Sequence, residues 1–269
     1  MIKLPLLVVL SFSLAGCSSS EKIKIGYPIL ITESTKQKIN DIINNDVIPN
    51  QTLSYDEKIN RISATFLGTP YVANTLIGGP EQQETLVANF EGVDCFTYLD
   101  YVVALSLSNN EKSFLNSLVN TRYKDSKVTY YKRKHFFTDW YAVAPKNAID
   151  VTATISPNSI TVEKNLNIKS DGSEYIKGLG AIPRTITYIP GNMINQSVID
   201  NIKTGDYIGV YSPISGLDVS HTGFAIKKDG QLWYRNASSL SKNNKVVDTP
   251  FLEYMSTRPG ILVLRSISK

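Results

Sequence analysis

The stretch Ser220-His221-Thr222-Gly223-Phe224-Ala225-Ile226-Lys227-Lys228-Asp229-Gly230-Gln231-Leu232-Trp233-Tyr234-Arg235-Asn236-Ala237-Ser238 is two strand-like runs folded about Asp229-Gly230. Asp-Gly is a strong signal for a two-residue hairpin, because both central residues of that turn need a positive φ. With Lys228 facing Gln231, counting back along the arms places His221 opposite Ser238. Asn236 then lies diagonally across on the same face, within reach of the imidazole. A slip of one residue would turn both partners away. In this register an Asn carbonyl can accept from one imidazole nitrogen and leave the other free to act as a base. Ser238 is the competing candidate on that face. Gly223, two residues after His221, permits close approach of another backbone.

The rest of the chain supplies helices first and strands later. A helix is expected near Thr35, with Ile39, Ile42 and Ile43 on one face. A second opens on the capping box Ser54-Tyr55-Asp56-Glu57, carries Ile59, Ile62 and Phe66 at helical spacing, and ends at Gly68-Thr69-Pro70. Leu86–Phe90 reads as a short strand. Asp94 opens a helix with Leu99, Val102, Val103 and Leu105, and Asn109-Asn110 separates it from another bearing Phe114, Leu115, Leu118 and Val119. Strands are expected at Tyr207–Tyr211, His221–Lys227, Gln231–Arg235 and Ile261–Arg265. Residues 123 to 201 have no clear period. The fold class is therefore α+β.

Asp94-Cys95-Phe96-Thr97-Tyr98-Leu99 adds a nucleophile. Asp is a favoured N-cap, which places Cys95 at the first helical position. A helix N-terminus favours negative charge, and a thiol there can drop from about 8.5 to between about 3.5 and 7.5. The free N–H groups of the first turn could also face a developing oxyanion. Only two histidines exist, His135 and His221. Cys95, His221 and Asn236 are accordingly the catalytic candidates, with Asp94 in support as the cap. A buried, inert cysteine and a structural histidine are the plainer alternatives.

The N-terminus bears on the same thiol. Met1-Ile2-Lys3 is a short positive segment, and Leu4–Leu14 is apolar but too short to span a bilayer. Leu14-Ala15-Gly16-Cys17 looks like the lipobox of bacterial lipoproteins. That likeness implies cleavage after residue 16, lipidation of Cys17 and a tether over 17–30. Cys95 is then left without a disulfide partner. Ser18 after the cysteine resembles the pattern sent to the outer membrane, so the expected location is the cell envelope, facing the periplasm. The 269 residues carry a net charge of +4, part of it on Lys3. No dense basic stripe with aromatics is present, which argues against a nucleic-acid partner. Two histidines and one free cysteine argue against a tetrahedral zinc site, and no cofactor is expected.

Taken in order, Phe66-Leu67-Gly68-Thr69-Pro70-Tyr71, Val93-Asp94-Cys95-Phe96-Thr97-Tyr98, Arg122-Tyr123, Arg133-Lys134-His135-Phe136, Trp140, Gly205-Asp206, Gly216-Leu217-Asp218-Val219-Ser220-His221-Thr222-Gly223 and Ala237-Ser238-Ser239 resemble the NlpC-type papain-like superfamily of peptidoglycan hydrolases. More narrowly they look like its N-acetylmuramoyl-L-alanine amidase-like branch. The branch usually has His where this chain has Asn236, although the superfamily accepts His, Asn or Gln there. The resemblance implies one catalytic domain over 31–269. Its papain-like core would hold Cys95 at a helix N-terminus on an antiparallel sheet or partial barrel, with a helical cap near 31–68 and an insertion near 123–200. It implies hydrolysis of the amide between N-acetylmuramic acid and L-alanine through a thioester on Cys95, in small, anhydro-ended muropeptides. Tyr71, Arg133, His135 and Ser238 become candidate substrate contacts, and Ser220 supports His221. The expected partners are muropeptides and, through Cys17, the membrane; the expected state is a monomer. A γ-D-glutamyl-diamino-acid endopeptidase, an acyltransferase or a non-catalytic wall-binding lipoprotein would share these features.

Overall fold

The computed structural model describes residues 26–267. The signal-like segment, Cys17 and most of the tether lie outside the described residues. Two amphipathic helices lie near the start of the described residues. α1 (Glu33–Ile42) is capped by Thr32, whose side chain accepts from Thr35 N, and α2 (Tyr55–Ala64) opens on the Ser54–Glu57 capping box. Ile39, Ile42, Ile59 and Ile62 form their buried stripe. α2 stops at Ala64, short of Phe66. The chain leaves it through a turn to Gly68, at φ 85°, a backbone region that glycine enters freely. Phe66 is buried all the same, edge-on to Phe90 and Tyr98.

A small sheet follows from β1 (Ile29–Ile31), β2 (Ile77–Gly79) and β3 (Gln82–Ala88), with β3 in the centre. Next come α3 (Cys95–Ser106) and α4 (Glu111–Arg122). α3 is buried from Thr97 to Leu105. A helix that is apolar on all sides belongs in the centre of a domain. It packs on α2, α4 and the main sheet. Buried Arg122 donates to Asp100 at 2.7 Å and to the carbonyl of Val87 at 2.7 Å, tying α4 to α3 and β3.

The main sheet comprises β4 (Ala148–Asp150), β5 (Ile160–Leu166), β6 (Ile182–Pro190), β7 (Tyr207–Tyr211), β8 (Val219–Lys228), β9 (Gln231–Ser238), β10 (Lys245–Pro250) and β11 (Gly260–Ser266). Its order is β10-β9-β8-β7-β11-β6-β5, with β4 also on β11, and its pairings are antiparallel. The architecture is α+β around an antiparallel sheet. The unperiodic middle of the sequence supplies β4, β5 and β6, which join the sheet through β11.

The β8–β9 hairpin has the expected register, Lys228 against Gln231 through Phe224 against Arg235. Asp229 and Gly230 have φ of 55° and 74°, as a type I′ turn requires. At the other end β8 carries an extra residue. Val210 pairs with His221 and Tyr211 with Val219, which leaves Ser220 as a bulge. Bulges re-aim the neighbouring side chain, and here that neighbour is His221.

Candidate active site

Asp94 caps α3 as its position demands. One carboxylate oxygen accepts from Phe96 N at 3.0 Å and from Thr97 N at 2.7 Å, while Thr97 Oγ1 accepts from Asp94 N. Cys95 is the first helical residue and a free, half-buried thiol. Its acidity differs from the sequence expectation. Burial, and then the Asp94 charge, push the thiol up to about 11, against hydrogen bonds from Thr222 that draw it back. The cap that places the cysteine also sets a negative charge beside it. This thiol therefore ionises readily only if a neighbouring base takes the proton.

His221, the candidate base, is paired as the hairpin register requires. His221 Nε2 and Asn236 Oδ1 are 2.9 Å apart. Asn236 donates through Nδ2 to Tyr234 O and to Thr249 Oγ1, which fixes the amide orientation and makes Oδ1 the acceptor. His221 therefore carries its proton on Nε2. Nδ1 has no hydrogen-bond partner among the described residues. Burial pushes the imidazole below 6.5, with Arg258 adding to the effect and the Asn236 bond opposing it. Gly223 is required between them. A Cβ there would meet Arg235 O and the Tyr234 ring at 2.6 Å and Asn236 Cβ at 2.9 Å.

Cys95 and His221 line one cavity of ≈ 200 Å³, with Ser220, Thr222 and His135 also on its wall. Thr222 Oγ1 donates to the carbonyl of Cys95 at 3.0 Å, which ties the start of α3 to β8. A larger depression of ≈ 630 Å³ lies along α2 near Asp46 and Arg61, but neither cysteine nor histidine lines it. The candidate catalytic residues line the smaller cavity.

The other expected site residues divide. His135 is on the cavity wall, with Nε2 2.8 Å from Tyr130 O. Burial lowers it to about 4, so it is neutral. Tyr71 bridges to Val93, immediately before the cap, and lies within the electrostatic reach of Cys95. Arg133 is not on that wall. Its Nε and Nη2 donate to both oxygens of buried Glu84 at 2.7 Å, where Tyr123 Oη also donates. It is a strut from β3 to the loop bearing His135. Ser238 is buried away from the wall, its hydroxyl accepting from Leu240 N and Asn243 Nδ2.

Sequence reasoning missed several wall residues. Tyr175 and Ile176 come from the unperiodic middle segment. Asp218 accepts from Thr138 N and Val219 N at 2.7 and 2.8 Å, joining the His135 loop to the foot of β8. The available signal for Asp218 was its place in the Gly216–Gly223 motif, three residues before the histidine.

Residues 61–261 match the N-acetylmuramoyl-L-alanine amidase-like (AmiA-like) family. Among solved structures, a Legionella pneumophila protein is similar at 27% identity and TM-score 0.73, over 87% of this chain and 95% of that one. An N-acetylmuramoyl-L-alanine amidase of Bacteroides uniformis is similar at 29% identity and TM-score 0.64, over 78% and 98%. A Bacteroides fragilis protein described as a putative xylanase gives 31% identity and TM-score 0.62, over 76% and 99%. Glycosidases generally need two facing carboxyl groups. This cavity wall offers one, Asp218, already held by two backbone N–H groups. No curated protein matches the chain.

Proposed function

Because this chain belongs to the N-acetylmuramoyl-L-alanine amidase-like family, we propose that it is a peptidoglycan hydrolase of the cysteine type that cleaves the N-acetylmuramoyl-L-alanine amide of muropeptides. The observation that carries the reading is the 2.9 Å contact between His221 Nε2 and Asn236 Oδ1, beside a cavity shared with Cys95. Asn236 holds the proton on Nε2, so Nδ1 takes the proton from Sγ. The thiolate attacks the muramoyl carbonyl carbon, and the developing oxyanion draws on the free N–H groups at the start of α3. The imidazolium then protonates the departing amine of L-alanine, and a thioester remains on Cys95. Water, deprotonated by Nδ1, attacks the thioester and restores the thiol.

The pKa values explain why the pair must act together. A thiol near 11 is almost wholly protonated at neutral pH, whereas a depressed imidazole is neutral and able to accept. The papain-like NlpC arrangement accommodates both groups, with the nucleophile at a helix start and the base and its orienter on adjacent strands. The Leu14–Cys17 motif extends the proposal to a lipid-anchored protein of the cell envelope, monomeric and facing the periplasm.

The test is digestion of defined muropeptides, with and without anhydro ends, by the mature protein and by Cys95→Ala. A free stem peptide beginning with L-alanine, formed by the wild type alone, is expected. Release of an L-Ala-D-Glu fragment instead would make the protein an endopeptidase. Binding without cleavage by both proteins would make it a wall-binding protein.

A further inference from the structure

The β7–β8 loop, residues 212–217, is held almost entirely by the middle segment of the chain. Lys164 on β5 donates from Nζ to three of its carbonyls, Ser212 O at 2.7 Å, Ile214 O at 2.8 Å and Leu217 O at 2.7 Å. Asn167 N donates to Gly216 O at 2.8 Å, and Tyr175 Oη to Ser215 O at 3.3 Å. The fit is close: a Cβ on Gly216 would meet Ile168 O at 2.6 Å. An ammonium has three donors and no acceptor, so the cage satisfies it completely. The Lys164 stem also places Nζ 5.3 Å from the Tyr211 ring, which stacks on Tyr188 at 3.8 Å.

The loop matters because it leads directly into the catalytic strand. Leu217 and Asp218 are cavity wall, Ser220 is the bulge, and His221 comes next. Within the loop itself few bonds hold the shape: Ser212 N to Asp218 O, Leu217 N to Ile214 O, and Ile214 N to Ser212 Oγ. Carbonyls that converge on one point repel one another unless a cation neutralises them. We propose that Lys164 is a positioning residue whose caged ammonium locks the β7–β8 loop into the wall of the Cys95 cavity. The cage is thus a site for a primary ammonium that this chain fills with its own side chain. His221 and Asn236 are held separately by the β8–β9 hairpin, so the lysine governs substrate fit more than the chemical step. Only the kinetic arm of the test rests on the hydrolase reading.

The test uses the mature chain and two variants, Lys164→Ala, which opens the cage, and Lys164→Met, which fills it without charge. Hydrogen exchange of the Ser212, Ile214 and Leu217 amides, which are bonded within the loop, and muropeptide kinetics are measured with methylammonium or tetramethylammonium chloride. In both variants exchange of these amides should accelerate. KM should rise about tenfold while kcat stays within about twofold, the pattern of lost binding rather than lost chemistry. Methylammonium should restore protection and KM in Lys164→Ala, while tetramethylammonium, which has no N–H donor, should not. Unchanged exchange in both variants, or equal rescue by the two salts, overturns the proposal. A wild type that cleaves no muropeptide would sink the hydrolase reading, and the exchange arm would still decide the role of Lys164.

Discussion

At the residue scale the site is a balance between placing a thiol and ionising it. Asp94 does the first and opposes the second. Asp94→Ala removes the N-cap and should lower stability by about 1 kcal/mol. It also removes a negative charge that raises the thiol, so iodoacetamide should label Cys95 faster at a given pH. Denaturant midpoints and labelling rates from one preparation check both signs. His221 is held below 6.5 by burial, so the acidic limb of kcat/KM for the free enzyme should have its midpoint below 6.5. Asn236→Ala removes the acceptor that fixes the tautomer, and turnover should fall by about 10²-fold or more. His135 titrates the stability. Folded, it resists protonation until about pH 4, whereas unfolded it takes a proton near 6.5. Between those values the unfolded chain binds more protons, so stability falls as pH drops through that window, by up to about 3 kcal/mol once below it. His135→Gln should flatten this slope in urea unfolding at pH 4 and pH 7.

At the element scale the β8–β9 hairpin and the start of α3 were the legible parts. Asp229-Gly230 determines a turn locally, and alternation carries its register outward, so the His221–Asn236 pair could be placed by counting. Asp94 likewise marks a helix start through its own side chain. The bulge at Ser220 left no such mark, because it is set by how β7 meets β8 across the sheet. The acidity of Cys95 was misjudged for a related reason. A helix terminus is local, but burial of the thiol depends on packing that the motif does not contain. Gly223→Ala tests the hairpin. Its Cβ has no room against Arg235 O, so the strands must part. A loss of about 1–3 kcal/mol in stability is expected, together with a drop in turnover larger than the melting curve explains.

At the scale of the whole molecule the cavity wall is assembled from distant parts of the chain. The start of α3, the His135 loop, the middle segment around Tyr175 and the foot of β8 each contribute to it. Fold class was readable because helices precede strands, but β4, β5 and β6 were not. They lack a simple period, since β5 exposes much of its length at the sheet edge. The part Arg133 plays in the fold was not legible either. Its motif lies near the site, whereas its partner Glu84 is on the other sheet. The helical half is secured by the buried Arg122–Asp100 pair. Arg122→Ala would strand a buried carboxylate, a change worth about 3–5 kcal/mol. Guanidinium unfolding should register this as a lower midpoint.

The Asp229-Gly230 turn carries one more consequence. His221 reaches Asn236 because of the parity of the residue count back from the turn, a constraint separate from the close packing of Gly223, Phe224 and Ile226 along the same strand. A strand reads its positions alternately to two faces, so this hairpin has something like a reading frame. Deleting one residue between Thr222 and Lys228 would leave the catalytic candidates in the sequence and send the imidazole to the opposite face. Deleting two would restore the face on a shorter arm. For this protein a frame of two along β8 is a constraint that no choice of side chain in the strand can replace.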